Sequence, residues 1–248
     1  MAIPEGAHGG YDIMIFMVHR TRPLLIVGHR GDPAHAPENT LASVRSAIAK
    51  GAKAVEVDVR RSSDGVWIAF HDSTLQRITG HRGNVARVRW RVLRSLDAGG
   101  DRIPRISEVL DLCGRRGVRV ILDVKVRDRE KELFRILQRS GWLDRVIVGA
   151  GTLPTLKRWR RLLTVTPLFW VTGFRSAITP YRVNQARRLK LTGLLAYRGW
   201  VTQAALQRAH RSGLKLYVWT VRTPAQLKRF VALGVDGIMN EIWPLPSI

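Results

Sequence analysis

Eight short β-branched or aliphatic runs alternate along this chain with segments of helical length, and that rhythm leaves few folds open. The runs occupy residues 24–28, 54–59, 118–124, 146–149, 167–171, 193–197, 214–220 and 237–240. Between most of them lie helix-length segments at 39–50, 107–116, 129–140, 152–162, 180–189, 202–212 and 224–233, several ending at Gly as a helix C-terminus does. Strands separated by helices pair in parallel, because a parallel crossover needs a dozen or more residues. At 248 residues the chain has the length of one α/β barrel. The expected fold is therefore a single (β/α)8 TIM barrel over residues 24–248, preceded by an N-terminal extension at 1–23.

One run breaks the rhythm. Residues 67–71 follow the second strand too closely for a crossover, so they are expected to pair antiparallel with it, turning at Asp64-Gly65. With Ser63 and Val66 flanking a two-residue turn, Asp58 falls opposite His71. The stretch at about 73–103 is the least regular in the chain. It reads as a small insertion on the top face of the barrel with one helix, at about 90–96.

Composition closes off other classes. With 45% apolar and 25% charged residues, the chain is neither disordered nor collagenous, and the lone Cys113 excludes an internal disulfide and a thiolate metal site. Cys113 reads as a small apolar residue on a buried helix face. No secretory signal is visible in the first residues, and no segment approaches the roughly 20 apolar residues of a membrane helix, so a cytoplasmic protein is expected. Lys and Arg outnumber the acids by 42 to 19, for a net charge of +23. Such a field attracts anions and allows weak association with an anionic membrane surface. The basic residues are scattered on helix faces, without a zinc finger or an RNA-binding aromatic signature, so no dedicated nucleic-acid binding is expected.

Barrel enzymes carry their chemistry at the C-terminal ends of strands, and here those ends are polar. The first strand runs into Gly28-His29-Arg30-Gly31, the second carries Glu56 and Asp58, the hairpin returns in His71-Asp72, and the third barrel strand carries Asp123 and Lys125. Alternate residues share a face, so Glu56 points with Asp58 and Asp123 with Lys125. Three carboxylates converging in a confined site call for a cation, and an all-oxygen donor set suits one hard divalent ion, Mg²⁺ or Ca²⁺. Arg30 and Lys125 beside that ion call for an anionic ligand, and a phosphate bridges metal and guanidinium. His29 and His71, on separate elements, suit removal of one proton and return of another. Any one of these residues alone has a structural explanation; the combination at four separate ends does not, because unpaired buried charges cost several kcal/mol each.

These motifs occur in a known order. Gly28-His29-Arg30-Gly31, Ala36-Pro37-Glu38-Asn39-Thr40-Leu41, Glu56-Val57-Asp58-Val59, Asp64-Gly65, Phe70-His71-Asp72 and Val218-Trp219-Thr220-Val221 together resemble the glycerophosphodiester phosphodiesterases, among the phosphatidylinositol phospholipase C-like phosphodiesterase barrels. The resemblance implies metal-dependent hydrolysis of small glycerophosphodiesters to glycerol phosphate and an alcohol. It makes His29 and His71 the acid/base pair, Glu56 and Asp58 metal ligands, Arg30 and Lys125 phosphate contacts, and Trp219 an aromatic wall of the substrate pocket. Attack by water and attack by a neighbouring glycerol hydroxyl through a cyclic phosphate both fit. The chain departs from the family pattern in three places. Asp123 stands where Glu is usual, Arg222 where Asn is common, and Asn240-Glu241 where Thr-Asp is usual. Arg222 reads as solvent-facing, and Glu38-Asn39-Thr40 as a helix cap.

Two other readings compete. A lysophospholipase D-type enzyme would need an apolar groove, lined from the 73–103 insertion or by Trp170 and Phe174. A non-catalytic barrel that only captures phosphate ligands would have no use for two histidines.

Overall fold

The strand after the first crossover shows how the residue pattern builds the molecule. In β2 (Ala54–Arg61), Val55, Val57 and Val59 point outward into the main apolar core, while Ala54, Glu56, Asp58 and Arg60 point inward. The inward face thus changes from apolar to charged along one strand. In the computed structural model, residues 24–241 are described, together with Trp243 and Leu245. The 1–23 extension, with His8 and His19, lies outside the described residues.

The remaining strands are β1 (Leu25–Gly28), β3 (Trp67–Ala69), β4 (Arg119–Val124), β5 (Val146–Ala150), β6 (Leu168–Thr172), β7 (Gly193–Tyr197), β8 (Lys215–Val221) and β9 (Gly237–Asn240). They form one sheet in the order β1-β9-β8-β7-β6-β5-β4-β2-β3, closed by a further β1–β2 pairing. Eight parallel strands make the barrel, as expected, and β3 is the antiparallel addition. Every barrel strand contributes to the interior, which is filled by Val27, Ala54, Ile121, Ile147, Phe169, Leu195, Tyr217 and Met239. Phe169 and Tyr217 have ring centroids 4.6 Å apart, and they fill the space opposite Gly193 and Gly237. These side chains fill the middle of the barrel, and the cavity at the strands' C-terminal ends is separated by them from a second one at the opposite end, lined by Leu25, Arg119, Lys215 and Tyr217.

The α-helices of the described residues are α1 (Leu41–Ala49), α2 (Gln76–Thr79), α3 (Trp90–Leu93), α4 (Ile106–Arg115), α5 (Glu130–Arg139), α6 (Leu153–Leu162), α7 (Pro180–Arg188), α8 (Gln203–Arg211) and α9 (Pro224–Leu233). Five of them start the same way: Thr40, Thr152, Thr179, Thr202 and Thr223 each accept a hydrogen bond from the backbone N–H three residues on. Three of these caps are followed by Pro in the first turn, where the missing N–H costs nothing. Cys113 is buried on α4. Among the described residues no helix is long and apolar enough to cross a membrane.

Two expectations are corrected. The hairpin loop holds three residues, 63–65, with Ser62 N–H donating to Val66 O, so Asp58 pairs with Phe70 and not His71. Ser62 Oγ accepts from Val66 N–H and donates to Asp64, whose carboxylate also receives Trp90 N–H, and Gly65 adopts φ +92°. A side-chain network thus selects the longer loop over the two-residue turn. The 73–103 insertion contains not one helix but α2, a 3-10 turn (Val85–Arg87) and α3, packed with Ile68, Phe70 and Ile103 into a small core of its own.

Candidate active site

The site begins where β1 ends. A Cβ on Gly28 would lie 2.6 Å from Gly31 O, and one on Gly31 would lie 2.4 Å from Ser43 Oγ, so the turn closes only with glycine at both positions. Between them Arg30 adopts φ +55°, a left-handed conformation costly for a long side chain. That turn aims Arg30 N–H at Glu56 Oε2, 3.0 Å away, and swings the guanidinium to Asp58, with Nε at 3.2 Å from Oδ2. Glu38 holds the same guanidinium from the other side at 2.9 Å and also binds Arg77. Asn39, itself at φ +60°, donates to Asp58 Oδ2 and accepts from Asp58 N–H, both at 2.9 Å. Of the run first read as a helix cap, only Thr40 caps; Glu38 and Asn39 position site residues.

Glu56, Asp58 and Asp123 come together because β2 and β4 pair with Asp58 directly opposite Asp123. All three are buried, and each offers a carboxylate oxygen within 4.8 Å of the others. Lys125 Nζ lies 3.0 Å from Asp58 and 2.5 Å from Asp123. Burial alone would raise the Asp58 carboxyl, yet Lys125 and Arg30 hold it well below the usual carboxylate range. Glu56 goes the other way, pushed well above its ordinary value by burial and then by Asp58 and Asp123. The cations present thus compensate two of the three acids. An all-oxygen donor set with one acid uncompensated fits a hard divalent ion.

Both histidines reach the same pocket. His29, nearly buried, has Nδ1 2.7 Å from Glu241 Oε1, which leaves Nε2 facing Glu56 at 3.9 Å. Burial lowers the His29 pKa below 6.5 despite the Glu241 hydrogen bond. A neutral ring donating from Nδ1 to Glu241 then has its lone pair on Nε2. His71 has Nδ1 2.6 Å from Asp72, whose other oxygen receives Arg77 Nε at 2.6 Å. Glu241 was missed as a site residue, although it follows a barrel strand as His29 does. Arg222 is not simply solvent-facing, since its Nε donates to Glu241 Oε2 at 2.6 Å. The end of β8 lies beside the end of β9, where Val221 pairs with Asn240 and brings the two together.

All eight residues singled out in the sequence line one pocket of about 400 Å³: His29, Arg30, Glu56, Asp58, His71, Asp123, Lys125 and Trp219. Trp219 donates from Nε1 to Thr172 O and packs edge-on against Tyr197. Trp170 is buried, with its Nε1 bonded to Gly151 O, and Phe174 is exposed; neither lines the pocket, nor does any residue of the insertion.

Known proteins share both sequence and architecture. A glycerophosphodiester phosphodiesterase of Caldanaerobacter subterraneus is 28% identical over 233 residues, covering 88% of this chain and 93% of the relative. The structure of an Oleispira antarctica phosphodiesterase in complex with the product sn-glycerol-3-phosphate superposes with a TM-score of 0.81 at 23% identity, over 90% of this chain and 94% of that one. A glycerophosphodiester phosphodiesterase from Thermotoga maritima gives 0.76 at 21% identity, over 90% of this chain and 96% of that one. The model of the glycerophosphoryl diester phosphodiesterase family matches residues 29–241, from the first site histidine to the carboxylate that holds it, and the chain belongs to that family.

Proposed function

We propose that this protein hydrolyses glycerophosphodiesters to glycerol phosphate and the head-group alcohol, with His29 and His71 as the acid/base pair beside one divalent cation, Mg²⁺ or Ca²⁺, held by Glu56, Asp58 and Asp123. The observation that carries this reading is the gathering of three buried carboxylates, two imidazoles, Arg30 and Lys125 on one pocket wall. When bound, the ion supplies positive charge to the phosphoryl oxygens. Arg30 and Lys125 grip the phosphate, and Trp219 flanks the substrate. His29 Nε2 takes the proton from the attacking oxygen as its bond to phosphorus forms, and His71 gives a proton to the leaving oxygen as the other P–O bond breaks. Glu241 holds the neutral His29 ring in the required tautomer, and Asp72 orients the His71 ring and favours the protonated form that gives up its proton. The attacking oxygen belongs to water or to the neighbouring glycerol hydroxyl; a transient cyclic phosphate in the phosphorus NMR spectrum identifies the second route.

Purified protein supplied with Mg²⁺ or Ca²⁺ is expected to release glycerol phosphate from glycerophosphocholine and glycerophosphoinositol, and a chelator is expected to stop it. His29→Ala and His71→Ala should each lower kcat on the order of 10²- to 10⁴-fold. Full turnover in both variants, or in excess chelator, overturns the assignment.

The lysophospholipase D reading calls for an apolar groove from the insertion or from Trp170 and Phe174, and it is less well supported because none of these lines the pocket, whose apolar side chains are Val124, Val171, Leu195, Trp219 and Met239. The capture-only reading leaves a paired, buried His29 without a purpose. Association with anionic membranes rests on the net charge alone and is tested by co-sedimentation with phosphatidylglycerol vesicles.

A further inference from the structure

The pocket wall changes sign from floor to rim. On β2 the inward residues run Glu56, Asp58, Arg60, and along β4 and past its end the pocket-lining residues run Asp123, Lys125, Arg127. Asp58 is level with Asp123, and Lys125 N–H donates to Val59 O, so Arg60 and Lys125 occupy the next level and Arg127 the one above. Arg30 and Lys125 are ion-paired to acids of the site. Arg60 and Arg127 are not: among the described residues neither forms an ion pair. Arg60 Nε donates to His71 O at 2.7 Å, and although Asp58, Asp72 and Asp123 act on its charge from farther off, neither Nη group forms a hydrogen bond among the described residues, so both can reach a ligand. The same side of the mouth is lined by Gly151, Thr152 and Thr155, at the start of α6, whose backbone dipole presents its positive end there and whose first turn carries no acid.

A phosphodiester contributes one negative charge and is already met by Arg30, Lys125 and the proposed cation. Two further guanidiniums and a helix N-terminus directed at the same pocket are more than it needs. A cationic head group such as choline would meet repulsion at this rim. We propose that the preferred substrate carries a second negative charge on its head group, a phosphate monoester being the best match, held at the rim by Arg60 and Arg127. The inference rests on the phosphodiesterase reading and deepens it by naming the substrate class.

Three substrates test it on the metal-loaded protein: glycerophosphoinositol 4-phosphate, glycerophosphoinositol and glycerophosphocholine. The first two differ only in the rim charge. The expected kcat/KM falls in that order, with at least about a tenfold advantage for the phosphorylated inositol over the plain one. Arg127 is exposed, so its replacement does not threaten folding. Arg127→Gln should bring the ratio between the two inositol substrates close to one, Arg127→Glu should invert it, and Arg127→Lys should keep most of it. A lysolipid bearing the phosphorylated head group, run against its unphosphorylated counterpart, reports the source of the head: the same ratio there extends the preference to lipids, and a ratio confined to the soluble pair restricts it to deacylated substrates. Equal turnover of the two inositol substrates by the wild type, or a ratio unchanged in Arg127→Gln, overturns the inference while leaving hydrolysis itself standing. Cleavage of none of the three removes the phosphodiesterase reading, and this inference with it.

Discussion

Glu241 is one methylene longer than the aspartate that the family resemblance implies at its place, and Asp123 is one shorter than the glutamate it implies. The longer arm lets one carboxylate face His29 with one oxygen and Arg222 with the other. Glu241→Gln keeps the shape and loses the charge, so kcat is expected to fall on the order of tenfold to a hundredfold with little change in KM, as steady-state kinetics will report. Burial opposes its ionisation, but the hydrogen bonds from His29 and Arg222 prevail and pull its pKa from 4.5 to about 2. A carboxyl depressed on folding contributes stability that is present above its unfolded pKa and is lost as pH falls through the folded one. The wild type should therefore lose more thermal stability than Glu241→Gln between pH 4.5 and about 2. At Cys113 burial pushes the thiol up to about 12, and the native protein should not react with a disulfide reagent at pH 8 until it is unfolded. That polar residues at strand ends, such as His29 and Asp123, would meet in one pocket was legible in the sequence. Glu38, Asn39, Arg222 and Glu241 were not, because each acts through a partner that lies 8 to 212 positions away and only the fold brings it close.

At the scale of elements, the strands and helices could be read almost to the residue, since a barrel strand is apolar on both faces and stands out as a short continuous run between amphipathic helices. Gly193–Tyr197, Gly237–Asn240 and Pro224–Leu233 match their expected spans. The register of the hairpin could not, because it depends on Ser62 and Asp64 hydrogen bonds and not on polarity alternation, which a one-residue loop extension leaves visible on both sides. Nor could the split of the insertion into three short pieces, each too brief to show a helical period. Two substitutions probe what the elements demand. A Cβ on Gly193 would stand 2.3 Å from Lys215 O, an atom of the neighbouring strand that has no freedom to retreat. Gly193→Ala should lower the unfolding free energy by about 1–3 kcal/mol in urea titration. Thr223 caps α9 through Gln226 N–H, and Thr223→Ala should cost about 1 kcal/mol by the same measurement.

For the molecule as a whole, the charge of +23 sets the approach of substrate more than its conversion. Raising salt from about 0.05 M to about 0.5 M at fixed divalent ion should lower kcat/KM several-fold through slower capture, with kcat little changed. A salt-independent kcat/KM would remove electrostatic steering. The closed sheet has a further meaning. Its seam joins β1 to β9, and His29 and Glu241, 212 positions apart, meet across it. During synthesis the 212 positions that separate them must be translated before His29 and Glu241 can become neighbours, so a growing nascent chain leaves the His29 ring unanchored until β9 docks.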